Sequence, residues 1–220
     1  MKIRKNKIYA VITGDIVRSS KLPLARRKRL VSNIGAASDR LRKFFGDIVP
    51  LPVDIFRGDS WQMLISDHAS VVTAAVFFRA TLKDLWKSGS IDTRIAIGVG
   101  RVDFIPGNRV SEGDGEAFRL AAEALESMNK HVRMQCVCSD KELEKNINVI
   151  VHLVDAIAMR WTDKQALAVS GAMRGFKQEE ITRLWDPSIT QQNVAKHLSK
   201  AKWYQVESAL DYIKYNLHKL

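Results

Sequence analysis

Asp15 and Asp59 are the residues of this chain best suited to chemistry. Each follows a glycine, the first at the end of the apolar run IYAVITGD (8–15), the second inside the alternating stretch VDIFRGDSWQMLI (53–65). Two carboxylates on neighbouring strands suit Mg²⁺, which takes hard oxygen ligands and usually only one or two protein carboxylates, leaving its other positions to water and substrate phosphates. Ions held this way can activate an attacking hydroxyl and steady a leaving pyrophosphate. Gly-Asp is also a common turn dipeptide, so the same acids could serve only their own loops. Arg18, Ser19, Ser20 and Arg57 flank the pair and are the candidate ligands for nucleotide phosphates, the arginines through charge-assisted bonds.

The elements that must position these residues follow from periodicity. Residues 8 to 15 read as a buried strand. From Leu24 to Phe45, apolar residues at Leu30, Ile34, Ala37, Leu41 and Phe44 recur every three or four positions among many arginines and lysines, which predicts an amphipathic helix with a basic outer face. A hairpin over 53–57 and 60–65, a helix from His68 to Trp86 and a strand over TRIAIGVGRVDF complete a βαββαβ order. That order is the ferredoxin-like arrangement of palm domains, in which the first and third strands are antiparallel neighbours. Asp15 closes the first and Asp59 precedes the third, so the two carboxylates are expected to face each other. A helix over EAFRLAAEALESM, a strand over VRMQCVCS and a short helical KELEKNI follow. The α+β domain is expected to span 1–146, and a small all-α domain 147–220.

Three landmarks carry a resemblance. Asp15-Ile16-Val17-Arg18-Ser19-Ser20 resembles the Asp-Ile-Val-Gly-Ser-Thr opening of class III nucleotidyl cyclases, Gly58-Asp59-Ser60 their Gly-Asp-Gly hairpin, and the run from Arg94 to Val102 their Arg-Ile-Gly-Ile-His-Thr-Gly strand. The resemblance implies a nucleotidyl-cyclase-like domain in which Asp15 and Asp59 hold Mg²⁺, with the Ile16 carbonyl as a further ligand. It departs on the later helix, where the family places Asn and Arg four apart to steady the nucleotide. Phe118 and Ala122 stand there instead, and Arg119 is one position off. Arg18 also replaces a loop glycine. With its helical tail the whole chain is similar to the SatD-like group of bacterial proteins, which brings no reaction with it.

The tail reads as four helices, beginning near Trp161-Thr162-Asp163, Lys177, Thr190 and Lys202. The last two suit a helix-turn-helix: Thr190 caps the first, and the second exposes Lys202, Tyr204, Gln205 and Ser208 to DNA while Val206 and Leu210 pack inward. A packing or dimerising helical pair is the alternative.

Charge points to a phosphate-bearing partner. Residues 1 to 43 carry 13 Lys/Arg and 2 Asp/Glu, which accounts for the whole net charge of +11. Arg26, Arg27, Lys28 and Arg29 form its densest run and are candidate nucleic-acid contacts. A hydrophobic fraction of 46% fits a packed globular chain, and no apolar run approaches the roughly 18 to 20 residues that cross a bilayer, so no integral membrane association and a cytoplasmic location are expected. The only cysteines, Cys136 and Cys138, point to one face of a strand as buried thiols. The leading expectation is a DNA-binding regulator with a degenerate cyclase-like sensor domain that binds nucleotide or nucleic acid, pairs as a homodimer and takes Mg²⁺ as its only cofactor. The alternative is a Mg²⁺-dependent cyclase or nucleotidyltransferase acting through Asp15 and Asp59 on a nucleoside triphosphate.

Overall fold

Alternation along β1 (Ile8–Ile16) sends Ala10 and Ile12 to one face of a sheet and Tyr9 and Val11 to the other, and all four are buried. The computed structural model describes residues 3–4, 6–56, 58–87 and 91–220. β1 lies at the centre of a five-stranded sheet of order β2-β3-β1-β4-β5, where β2 is Asp54–Phe56, β3 Ser60–Ile65, β4 Thr93–Arg101 and β5 Met134–Cys138. β1 pairs antiparallel with β3, ending at Gly14 opposite Trp61, and antiparallel with β4, where Asp15 lies opposite Arg94. β5 adds parallel to β4. The βαββαβ order and the β1–β3 neighbourhood expected from the sequence are present, within a mixed α+β fold.

Helix α1 (Leu24–Phe45) follows Pro23 and buries Leu30, Ile34, Ala37 and Leu41. Its outward residues Arg26, Arg27, Lys28 and Arg29 are exposed, as the periodicity implies. After a 3₁₀ turn at His68–Ser70, held by the Asp67 side chain, α2 (Val71–Trp86) packs between α1 and the tail. Nearly every α2 residue is buried, including Arg79. A helix buried all round needs cover on its outer side, and the tail supplies it: α5 (Asp163–Met173) and α8 (Trp203–Leu217) both contact α2. On the opposite sheet face α3 (Glu116–Ser127) lies over β4 and β1, its Ala117, Phe118 and Ala121 joining Tyr9, Val11 and Leu64 in a smaller core.

Helix α4 (Lys141–Met159) departs from the expected short segment. Ile147, Val151, Val154 and Ala158 continue its buried stripe without a Gly or Pro to stop it, so the division expected between 146 and 147 falls inside an unbroken helix. One apolar core then runs from β1 through α4 to Leu217 at the end of α8. Two tail helices begin at side-chain caps, Thr162 in a capping box before α5 and Thr190, which accepts from the Asn193 amide, before α7 (Gln191–Lys200); α6 (Gln178–Thr182) follows Lys177, and α8 follows a left-handed Lys202. Among the described residues no helix is long and apolar enough to cross a membrane. Cys136 and Cys138 are both buried and unpaired, and burial pushes the Cys138 thiol up to about 11 and Cys136 higher still.

Candidate functional site

The two aspartates sit at one end of the sheet, and each has its own partner. Arg94, the residue opposite Asp15 on β4, donates from Nε to Asp15 Oδ1 at 2.9 Å and from Nη2 to Asp15 Oδ2. The Asp15 hydrogen bonds raise the Arg94 pKa, so the arginine stays charged. Thr93 fixes the backbone here, its hydroxyl donating to the Asp15 carbonyl at 2.8 Å and accepting from Trp61 Nε1 at 3.1 Å. Asp59 follows Gly58, whose φ of +86° makes the hairpin tip a position that favours glycine. Its Oδ2 accepts from the Ser19 hydroxyl, and among the described residues no cation pairs with it.

A cleft of about 350 Å³ opens beside Asp59. Ser19 and Ser20 line it from the 3₁₀ turn Ser19–Lys21, Arg27, Lys28 and Val31 from the first turns of α1, and Gly58 and Asp59 from the hairpin. Arg27 folds back on the turn, donating to the Leu22 carbonyl at 2.9 Å and the Ser20 carbonyl at 2.5 Å. The cleft therefore presents two serine side chains, two cations and one carboxylate. Arg18 does not line this cleft. It adopts a left-handed conformation (φ 59°, ψ 27°), the backbone of a glycine carried by an arginine, and borders a separate cavity. Arg57 lies outside the described residues. Ile16 ends β1 with its side chain in the core.

The fit to Mg²⁺ is divided between the two acids. Asp59 and the neighbouring hydroxyl are hard oxygen donors facing an open cleft, which suits the ion. Both Asp15 oxygens already accept from Arg94, so a cation at Asp15 would compete with that guanidinium charge. Among the described residues no cluster of three or more His, Cys, Asp or Glu side chains is placed to hold a metal.

On α3, Phe118 is a core residue, its ring against Gly113. Ala122 is exposed, and Arg119 turns away to pair with Asp114 at 2.9 Å. In the tail, Lys202, Tyr204, Gln205 and Ser208 are exposed, while Val206 and Leu210 are buried. Lys202 is itself left-handed (φ 57°) at the α7–α8 turn.

Sequence reasoning missed Arg94. Its signal was an arginine opening an otherwise apolar strand, in register with an aspartate closing the neighbouring one.

No family model and no curated protein matches the chain. Solved structures do: a bacterial light-regulated adenylyl cyclase aligns with 59% of this chain and 75% of its own at 18% identity (TM-score 0.45). The guanylyl cyclase Cya2 aligns with 63% of this chain and 77% of its own at 14% identity (TM-score 0.43). The catalytic core of a rhodopsin-guanylyl cyclase with converted specificity, in complex with ATPαS, aligns with 55% and 72% at 17% identity (TM-score 0.39). Likeness at this level says nothing about ligand or reaction, which must be read from the side chains.

Proposed function

We propose that this chain is a nucleotide-binding regulatory protein whose ligand enters the cleft between α1 and the β2–β3 hairpin. The observation that carries this reading is the meeting of Ser19, Ser20, Arg27, Lys28 and Asp59 around one opening. Arg27 and Lys28 supply positive charge for phosphates, and the Ser20 hydroxyl a short donor, that of Ser19 being given to Asp59. Asp59 would repel a bare phosphate. It suits a nucleotide that offers sugar or base donors, or one that carries Mg²⁺ on its phosphates. When bound, Mg²⁺ would supply Lewis acidity and charge neutralisation. Asp59 would hold it, together with the Ile16 carbonyl that the cyclase resemblance implies, and Asp15 could join once Arg94 is released.

The engagement of Asp15 by Arg94 and the burial of Phe118 favour binding over turnover in this reading. The exposed Lys202, Tyr204, Gln205 and Ser208 on α8, with Arg26 to Arg29 on α1, are the surfaces on which nucleic acid would be contacted. Calorimetric titration with each ribonucleoside triphosphate, with and without Mg²⁺, tests the proposal. Saturable binding should weaken by about tenfold or more in the Arg27→Gln/Lys28→Gln variant, the equivalent of one lost charge-assisted bond. Equal affinity in wild type and variant, or no binding to any of the triphosphates, would end it.

A second reading, Mg²⁺-dependent cyclisation or nucleotidyl transfer, is favoured by the β1–β3 register, which brings the end of β1 at Asp15 beside the hairpin turn that carries Asp59. It requires a product from a triphosphate that wild type makes and Asp59→Ala does not.

A further inference from the structure

Val17, Arg18, Lys21 and Leu22 border a second cavity, of about 380 Å³, that the proposed nucleotide site does not use. Arg18 and Lys21 reach it from that segment, Lys83 from the last turn of α2, and Arg133 from the residue before β5. The one acid in its wall is Asp92, which is already engaged: Arg79 donates to both of its oxygens at 2.7 Å, and Lys83 Nζ lies 3.4 Å from Oδ2. Lys83 is accounted for by the fold, since its Nζ also lies 3.4 Å from the Met159 carbonyl at the end of α4. Arg18, Lys21 and Arg133 are different, because among the described residues none of them has an acidic partner within ion-pair distance.

Arg133 Nε is fully enclosed and has no hydrogen-bond partner. A buried donor left unmade is costly, and because the side chain is otherwise only partly buried and lines the cavity, an anion bound there would offset part of that cost. Burial, partly countered by Asp92 and reinforced by the Arg79 and Arg133 charges, holds Lys83 below the ordinary lysine range, so a negative charge in the cavity would relieve several groups together. Arg18 carries the strain of a left-handed backbone where it borders the cavity, the kind of local cost that functional segments retain. Trp86, Ile91 and Met159 give the cavity an apolar wall.

We infer that this cavity binds a small phosphate-bearing anion, its phosphate taken by Arg18, Lys21 and Arg133 and its remainder laid against Trp86, Ile91 and Met159. Phosphate fits better than a carboxylate because it offers three acceptor oxygens and up to two charges to three cations. An adjoining cavity of about 350 Å³ shares Lys83, Ile91 and Met159 and extends to Thr162 and Asp163 at the start of α5. A ligand here therefore touches both the sheet's end and the tail, and would report its presence from one to the other. The inference is independent of Asp15 and Asp59.

The test is calorimetric titration of the full chain with pyrophosphate at low ionic strength. Arg133→Gln and Lys21→Gln should each weaken binding about tenfold or more, whereas Lys145→Gln, which removes an exposed cation on α4 outside both cavities, should stay within about twofold of wild type. Arg133→Gln keeps the backbone bond from the Arg133 amide to Asp155, and Lys21 is exposed, so neither change threatens the fold. Unchanged affinity in both Arg133→Gln and Lys21→Gln, loss confined to Arg27→Gln/Lys28→Gln, or no binding by wild type would overturn the inference.

Discussion

Replacing Arg79 with methionine is expected to destabilise the chain by about 3–5 kcal/mol, the cost of breaking a buried ion pair by removing one partner. Arg79 has no exposed side-chain surface, and it joins two distant segments: Nε and Nη2 donate to Asp92 before β4, and Nη1 to Asp155 on α4, each at 2.7 Å. Burial opposes its charge, and the two carboxylates more than offset that, leaving its pKa above the ordinary arginine value. Methionine fills much of the space and strands both acids. Asp92 would keep only Lys83 and the Thr93 amide, and Asp155 only the Arg133 amide. For a chain of this length each kcal/mol moves Tm by roughly 2–4 °C, so the midpoint should fall by about 6–20 °C. Calorimetry and urea unfolding measure it. The double change Arg79→Met/Asp155→Leu should recover part of the loss, because it removes a stranded charge as well as its partner. A single variant within about 1 kcal/mol of wild type, the range of an exposed surface pair, would refute the reasoning.

Three further outcomes are expected. Burial pushes the Asp92 carboxyl up, but Arg79 and then Lys83 outweigh it and hold its pKa below the ordinary range. Its contribution is therefore full above the unfolded value of about 4 and is lost as pH falls through the lower folded value, so urea midpoints should drop below about pH 4 in wild type and less steeply in Asp92→Asn. Gly98→Ala would place a Cβ 2.2 Å from the Ala117 carbonyl oxygen and 2.6 Å from the Ala121 nitrogen, forcing α3 off β4. A loss of about 1–3 kcal/mol, read by urea unfolding, is expected. Cys136 and Cys138 should resist a thiol reagent at pH 8 in the native chain and react once urea is added, since both are buried and held protonated.

Much of the scaffold was legible because local rules agree with the fold. α1 occupies the expected span from Leu24 to Phe45, where Pro23 and the periodic stripe act together, and the tail helices start at Thr162, Lys177, Thr190 and Lys202, where local capping and turn signals lie. The β1–β3 pairing follows from element order alone. What escaped depends on long-range register. Asp15 meets Arg94 through the β1–β4 ladder, 79 positions away, whereas attention to the β1–β3 ladder pointed only at Asp59. Arg79 lies on the buried face of α2, and its partners lie 13 and 76 residues on, too far along the chain for periodicity to reveal why a charge belongs there. Arg18 shows a third kind of gap. The residue differs from the glycine of the resembling motif, and its backbone lies in the left-handed region that favours glycine.

Hydrogen exchange with a nucleoside triphosphate present is the most direct measurement of where the ligand sits. Protection is expected in residues 19–31 and 58–60, the walls of the cleft beside Asp59, and it should vanish in Arg27→Gln/Lys28→Gln. Protection confined to other segments, or exchange unaltered at saturating nucleotide, would contradict a nucleotide site at the α1–hairpin cleft.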